Sequence, residues 1–402
     1  MNWNINHIWH VVSIGASLLL LVSGCKKDSP PLGPVVPEVE DTTSHAFTWQ
    51  SAYVGDGYNS KLSDVIIIHD SLAYAIGEFY LKDSSGQIDY IHAYNLAMWD
   101  GHQWTPKRIT YDGGPSGQQL YAICGLDERN VWLAGNGLFH WNGTFSYNVA
   151  EVEPVWGRVN MFALWVASPT SIYVGGDSNY TAQLQGSQWS RLTSGSGDRI
   201  NDMWGTGSGT SAGVYYVAFN SWERPYASRV GRISPTGKVD SIPFPQIRTL
   251  YSIWSPDGAT VYVCGEGVYR LQNNNQWTEI NAGTNNPLTC IRGTALNDIF
   301  VVGVFGTLAH FNGVSWHFYN LSADVHLSSV AVKGNLVIAV GSQGSRGIAL
   351  IARREQITHA TDWRSSSGGG NACVQHAATR SHHSQRPGIA GRIRRRVVAH
   401  PA

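Results

Sequence analysis

The chain has 402 residues, with 28 basic and 28 acidic side chains and only 14% charged residues overall. A formal net charge of zero excludes the broad basic footprint of a nucleic-acid-binding surface and a strongly acidic one. Sixteen Trp, eighteen Tyr and forty-four Gly beside four Met describe a β-rich chain with many tight turns.

In chain order, the first element is an apolar stretch, Val11 to Val22, leading into Val22-Ser-Gly-Cys25 and then Lys26-Lys27-Asp28. Twelve residues are too few to span a bilayer as a helix, which takes about 20. Small residues just before a cysteine resemble the bacterial lipobox. That resemblance implies residues 1–24 are a lipoprotein signal peptide and Cys25 the lipidated mature N-terminus, placing the chain at a bacterial cell envelope, on the outer membrane. Residues 1–10 carry no Lys or Arg, a departure from the pattern, and an ordinary secretory signal is the alternative. Residues 25–45, with Pro30, Pro31, Pro34 and Pro37, read as anchor and semi-rigid tether, at most about 60 Å long.

Residues 46–354 are built from one recurring phrase. Its clearest copy is Asp298-Ile-Phe-Val-Val-Gly-Val-Phe-Gly-Thr-Leu-Ala-His-Phe-Asn-Gly-Val-Ser-Trp316: a strand, a glycine turn, a second strand, an Asn-Gly turn, and a Trp opening a third. Trp104, Trp189, Trp277 and Trp316 hold the last place in their units, Phe145 and Val239 substituting in two others. The intervals are 41, 44, 50, 38 and 39 residues, a period that suits a four-stranded propeller blade. Both faces of these strands are apolar, as in sheets packed between sheets. The units run roughly 60–110, 117–150, 158–194, 199–243, 248–282, 286–321 and 325–354. The last unit lacks a Trp-led fourth strand, and Phe47-Thr-Trp-Gln-Ser-Ala-Tyr53 supplies the missing piece. The expected fold is all-β: a β-propeller of seven four-stranded blades closed by an N-terminal strand, which removes a costly exposed edge. The irregular fourth unit, with Ser221-Trp-Glu-Arg-Pro225, leaves six and eight open. The phrase resembles the kelch/WD40-like repeats of bacterial envelope lipoproteins, although the Trp-Asp ending and Gly-His opening of WD40 repeats are missing. Such a resemblance implies architecture, and function does not follow from a fold.

Residues 355–402 change character, with seven Arg against two acids and no strand or helix periodicity. They read as a disordered basic tail, either a patch for anionic surfaces or an extension without function.

No cofactor or metal site is expected. The histidines form no tight ligand pair, and His140 and His310 hold matching repeat positions, as structural residues do. Asp127, Asp202, Asp257 and Asp298 read as turn caps. Cys264 and Cys290 lie in consecutive units, so a disulfide and two buried thiols are both open. No nucleophile elbow, phosphate loop or dinucleotide fingerprint occurs. Aromatics are the remaining candidates: Trp165, Trp204, Trp222 and Trp254 fall where they can line the axial mouth and stack on a sugar or anchor a protein. The reading that follows is a membrane-anchored binding or scaffold module for protein or glycan. Its competitors are a carbohydrate-active hydrolase or lyase with an axial site, needing two carboxylates about 5–9 Å apart, and a purely structural envelope component.

Overall fold

A computed structural model describes residues 42–355, apart from 111–113, 115, 145, 150–159, 194–197, 207–212, 220–227 and 273–275. The signal segment with Cys25, the tether up to residue 41, Phe145, Trp222 and the tail from residue 356 lie outside the described residues. The chain forms seven four-stranded antiparallel sheets. Six are sequential; the seventh joins Val325–Lys333, Leu336–Gln343 and Arg346–Arg354 to the N-terminal strand Phe47–Val54. That strand pairs with Arg346–Arg354 through eight consecutive partners, from Phe47 opposite Arg354 to Val54 opposite Gly347. The fold is the expected seven-bladed propeller, closed by the N-terminal strand.

Each blade starts on the inside. The innermost strands are Gly57–His69, Leu120–Asp127, Met161–Ser168, Arg199–Thr206, Leu250–Trp254, Leu288–Ala295 and Val325–Lys333. Because every blade repeats the same up-and-down order, all seven run the same way around the axis. Their starts ring one face, called upper here, and the hairpins to the second strands ring the lower face.

Second strands are the most buried elements. Asp298–Gly303 and Val261–Gly265 have no residue open to solvent, which explains why both of their faces are apolar. Seven clusters of buried side chains lie at the seven blade junctions. The ring closes because Leu336, Ile338 and Val340 of blade seven pack on Leu62, Val65 and Ala75 of blade one. Polar bonds reinforce that junction: Lys333 Nζ donates to the Ile68 carbonyl at 2.6 Å, and Ser329 Oγ to Asp64 Oδ1 at 2.7 Å.

The repeated glycine has a mechanical cause. A β-bulge shifts the register of every innermost strand near its start, one residue after Leu62, Leu120, Met161, Ile200, Leu250, Leu288 and Leu327. Such a bulge leaves one extra residue unpaired and brings the backbones close. In five blades a glycine at or near the end of the second strand sits against it. A Cβ added at Gly77, Gly135, Gly265, Gly303 or Gly341 would lie 2.1, 1.9, 2.0, 2.3 or 2.0 Å from the carbonyl oxygen of the residue just before the leucine that precedes the bulge. Only glycine fits there.

Candidate functional site

The bulges build the axial cavity. Their extra residues are Ser63, Tyr121, Phe162, Asn201, Tyr251, Thr289 and Ser328, and all seven line one cavity of about 490 Å³ on the axis. Each is half-buried. Blades two, three and five contribute aromatics; blades one, six and seven contribute hydroxyls; Asn201 stands between. The Tyr121 and Phe162 rings are 4.5 Å apart, and the Arg199 guanidinium lies 4.6 Å over Phe162. Arg199 Nε also donates to Asn201 Oδ1 at 2.9 Å, fixing that amide. The mouth is therefore two-sided, aromatic on one arc and hydroxylic on the other.

One residue deeper lies a belt made by Asp64, Ala122, Ala163, Asp202, Ser252, Cys290 and Ser329. Side chains of this belt bridge neighbouring blades. Asp64 Oδ2 accepts from the Ile123 amide at 3.0 Å, Asp202 Oδ2 from the Ile253 amide at 2.9 Å, and Ser252 Oγ from the Ile291 amide at 3.2 Å. Two alanines interrupt the belt in blades two and three.

Asp202 had the sequence signature of a turn cap, but it lies in this belt. It is the second residue past Ile200, just after the bulge and well inside the innermost strand, away from the hairpin that follows Thr206. Arg292 binds it through both guanidinium nitrogens, at 2.9 and 3.0 Å, and adds bonds to Ser252 Oγ and two backbone carbonyls. Burial opposes the Arg292 charge, but Asp202 beside it outweighs burial and holds the guanidinium protonated. For Asp64, burial pushes the carboxyl above its usual range, against bonds from Ser329, Ile123 and Val65 that favour the charged form. Both carboxylates are loaded with donors, so neither is a free base or nucleophile.

Deeper still are two of the tryptophans singled out in the sequence. Trp165 and Trp204 line the cavity with their rings 5.0 Å apart, and Arg292 lies 4.9 Å over Trp204. Trp204 Nε1 donates to the Ser255 carbonyl at 2.8 Å, locking the indole. Trp254 is 1% exposed and packs among Tyr262, Ile291 and Ile299 between blades five and six, so its ring is architecture. Trp222 lies outside the described residues.

The other predicted positions sort as follows. Asp127 and Asp257 cap turns, accepting from the Arg129 amide and from the Ala259 and Thr260 amides. Asp298 differs: it is buried, accepts from Thr294 Oγ1, forms an ion pair with Arg354 and binds His310 Nε2 at 3.0 Å. It ties the last strands to blade six and caps no simple turn. His310 also meets His45 Nδ1 at 2.8 Å. Cys264 and Cys290 are free, buried thiols. Among the described residues no group of three or more metal-ligating side chains converges.

The bulge ring escaped sequence reasoning, although its signal is present. Leu-Ser-Asp-Val65, Leu-Tyr-Ala-Ile123, Leu-Tyr-Ser-Ile253, Leu-Thr-Cys-Ile291 and Leu-Ser-Ser-Val330 each place apolar residues three apart inside a strand. Strict alternation would place them two or four apart, so the extra residue is the bulge.

No protein-family model matches the chain, and no curated protein matches it. Solved structures do. The chain is similar to YCF48 bound to D1 peptide, at 14% identity and TM-score 0.58, covering 76% of this chain and 97% of that one. It is also similar to the WD40 β-propeller domain of Doa1, at 13% identity and TM-score 0.57, covering 77% and 98%. YCF48 from Cyanidioschyzon merolae matches at 12% identity and TM-score 0.57, covering 77% and 99%. At such identities the likeness shows a shared β-propeller fold.

Proposed function

We propose that this propeller is a binding module that receives an extended segment of a partner protein at its axial mouth, and that a lipid on Cys25 holds it at a bacterial cell envelope. The observation that carries the binding reading is the two-sided ring of bulge residues. One arc offers aromatic faces to apolar side chains; the other offers the Ser63 and Ser328 hydroxyls to peptide carbonyls and amides, the Thr289 hydroxyl being held by the Leu327 carbonyl at 2.7 Å. A cavity of about 490 Å³ lies within the range of built ligand sites, about 300–1,000 Å³. The ring is pre-organised, because each residue sits in a bulge braced by a blade, and that lowers the entropic cost of binding. A neighbour in fold, YCF48, is known with a D1 peptide bound, which favours polypeptide over glycan. Asp64 and Asp202 are spent on structural bonds, which weighs against the hydrolase reading.

The test uses the purified full chain against a displayed peptide library and a glycan array. Peptides enriched by the wild type should be lost from Tyr121→Ala and Phe162→Ala, with unchanged thermal unfolding. Binding confined to glycans, or turnover of a glycoside, would overturn the reading. For the anchor, radioactive palmitate should label the wild type and spare Cys25→Ala; equal labelling of both refutes it.

A further inference from the structure

We infer that the outer edge of blade seven, strand Phe47–Val54, pairs antiparallel with the same strand of a second copy of this chain. The assignment is independent of the axial mouth.

Backbone direction comes first. The Glu355 amide donates to the Ala46 carbonyl at 3.0 Å, and from there the strand runs against Arg346–Arg354 without a register shift. Residues of an antiparallel strand alternate in the side to which their amide and carbonyl point. Those of Thr48, Gln50, Ala52 and Val54 therefore turn to Arg346–Arg354, and those of Phe47, Trp49, Ser51 and Tyr53 turn outward. Among the described residues no backbone group meets this outward set.

Open edges invite pairing, and native sheets blunt them with short strands, charges, prolines or bulges. The other six blades do so. Trp104–Lys107 carries Pro106 and Lys107, and Gln188–Thr193, Val239–Ile242 and Trp277–Ile280 carry Arg191, Asp240 and Glu279. Ser146–Asn148 and Trp316–Phe318 have three residues each. Phe47–Val54 has eight, with no charge, no proline and no bulge. Thr48, Gln50, Ser51 and Tyr53 on it are exposed.

The composition of the strand selects its own copy as the occupant. A strand that meets itself about a two-fold axis sets residues of the same face opposite one another. Centred on Ser51, this register puts Trp49 opposite Tyr53 of the second copy, and the reverse, with Gln50 opposite Ala52. Two aromatic pairs then flank a small polar centre, and such cross-strand pairs are stabilising. Arg346 lies 3.7 Å over the Tyr53 ring, so each copy brings a guanidinium toward the other's Trp49, whose face attracts it. No like charges meet on the paired strands, since the strand has none. Antiparallel pairing turns the two axial mouths to opposite sides and leaves both open.

Sedimentation velocity on the full chain carrying Cys25→Ala, which removes lipid-driven association, tests this. An edge of eight residues makes a small, transient interface, so the dimer should form at roughly 20 μM. From about 1 to about 200 μM the sedimentation coefficient should rise from monomer to dimer, and the Trp49, Ser51 and Tyr53 amides should exchange roughly fivefold slower. The Thr48, Gln50 and Ala52 amides, already bonded inward, should not change. Ser51→Lys places like charges face to face at an exposed position and should stay monomeric, whereas Ser51→Thr should dimerise. Both variants should unfold at the wild-type temperature. A wild type that stays monomeric to about 200 μM overturns the inference, as does association that Ser51→Lys leaves intact. Slow exchange of the outward amides already at about 1 μM shows a different strand on the edge and also overturns it.

Discussion

Asp298→Asn tests how the ring is held shut. The Asp298 carboxylate is buried and takes the Arg354 guanidinium, His310 Nε2 and Thr294 Oγ1 together. Arg354 belongs to the strand that pairs with Phe47–Val54, so the node joins blade six to the closure seam. Burial alone would raise the Asp298 pKa, but the His310, Thr294 and Arg354 contacts outweigh it and hold the carboxyl below its usual range. Removing one partner of a buried charge pair costs about 3–5 kcal/mol, since the other charge is left stranded. Arg354 keeps some solvent contact, with a side chain 18% exposed, and the asparagine oxygen can still accept one bond worth about 1 kcal/mol. The expected loss is about 3 kcal/mol, roughly 5 °C or more in Tm for a domain of this size. Hydrogen exchange should show strand Phe47–Val54 opening ahead of the other blades. Adding Arg354→Met should recover part of the loss, giving a coupling of at least about 1 kcal/mol in a double-mutant cycle. A loss below about 1 kcal/mol, with seam protection unchanged, would falsify the claim that this charge node secures closure.

Three further predictions follow from the same structure. Burial first, then the neighbouring His310, His317 and Arg354, lowers the His45 pKa from 6.5 to about 4; the unfolded chain thus binds the proton first, and stability should fall as pH drops from 6.5 to 4. Discounted for solvent around this half-buried ring, the loss is about 1–2 kcal/mol, and urea titrations should show His45→Gln flattening that window while the Asp298 decline in acid remains. Gly205→Ala places a methyl 2.0 Å from Trp165 Nε1, so near-ultraviolet circular dichroism should report displacement of the Trp165–Trp204 pair, at an overpacking cost of about 1–3 kcal/mol. Burial pushes the Cys124 thiol up to about 11 and raises Cys264 and Cys290 as well, so all three should resist a thiol reagent in native buffer and react once urea is added; rapid native labelling, located by peptide mapping, would contradict the packing described.

Much of the architecture could be read because it is periodic. The Trp at the head of the outermost strand, the glycine ending the second strand and the missing fourth strand of blade seven are local patterns repeated until chance is excluded. Trp165 and Trp204 were also legible as axial residues, from their place in the innermost strands. Trp254 has the same place but is sealed by Tyr262 and the neighbouring blade, a tertiary fact no local pattern carries. Asp202 misled because an acid recurring near the turn between the first two strands looks like a turn cap; only pairing with Arg292, 90 residues away, gives its role. The bulges were missed because one inserted residue looks like noise in a single strand and becomes a signal only when seven are aligned. His45 and Asp298 could not be connected from sequence, since ring closure alone brings residues 253 positions apart to the same seam.

The seven displaced residues have a freedom that their neighbours lack. Each projects away from the interleaved apolar layers, while the glycine and leucine beside it do the mechanical work of shaping the backbone. If the axial mouth binds as proposed, recognition and folding fall to different letters of the same short word, and a change at Ser63, Tyr251 or Ser328 should alter what is bound at little cost in stability.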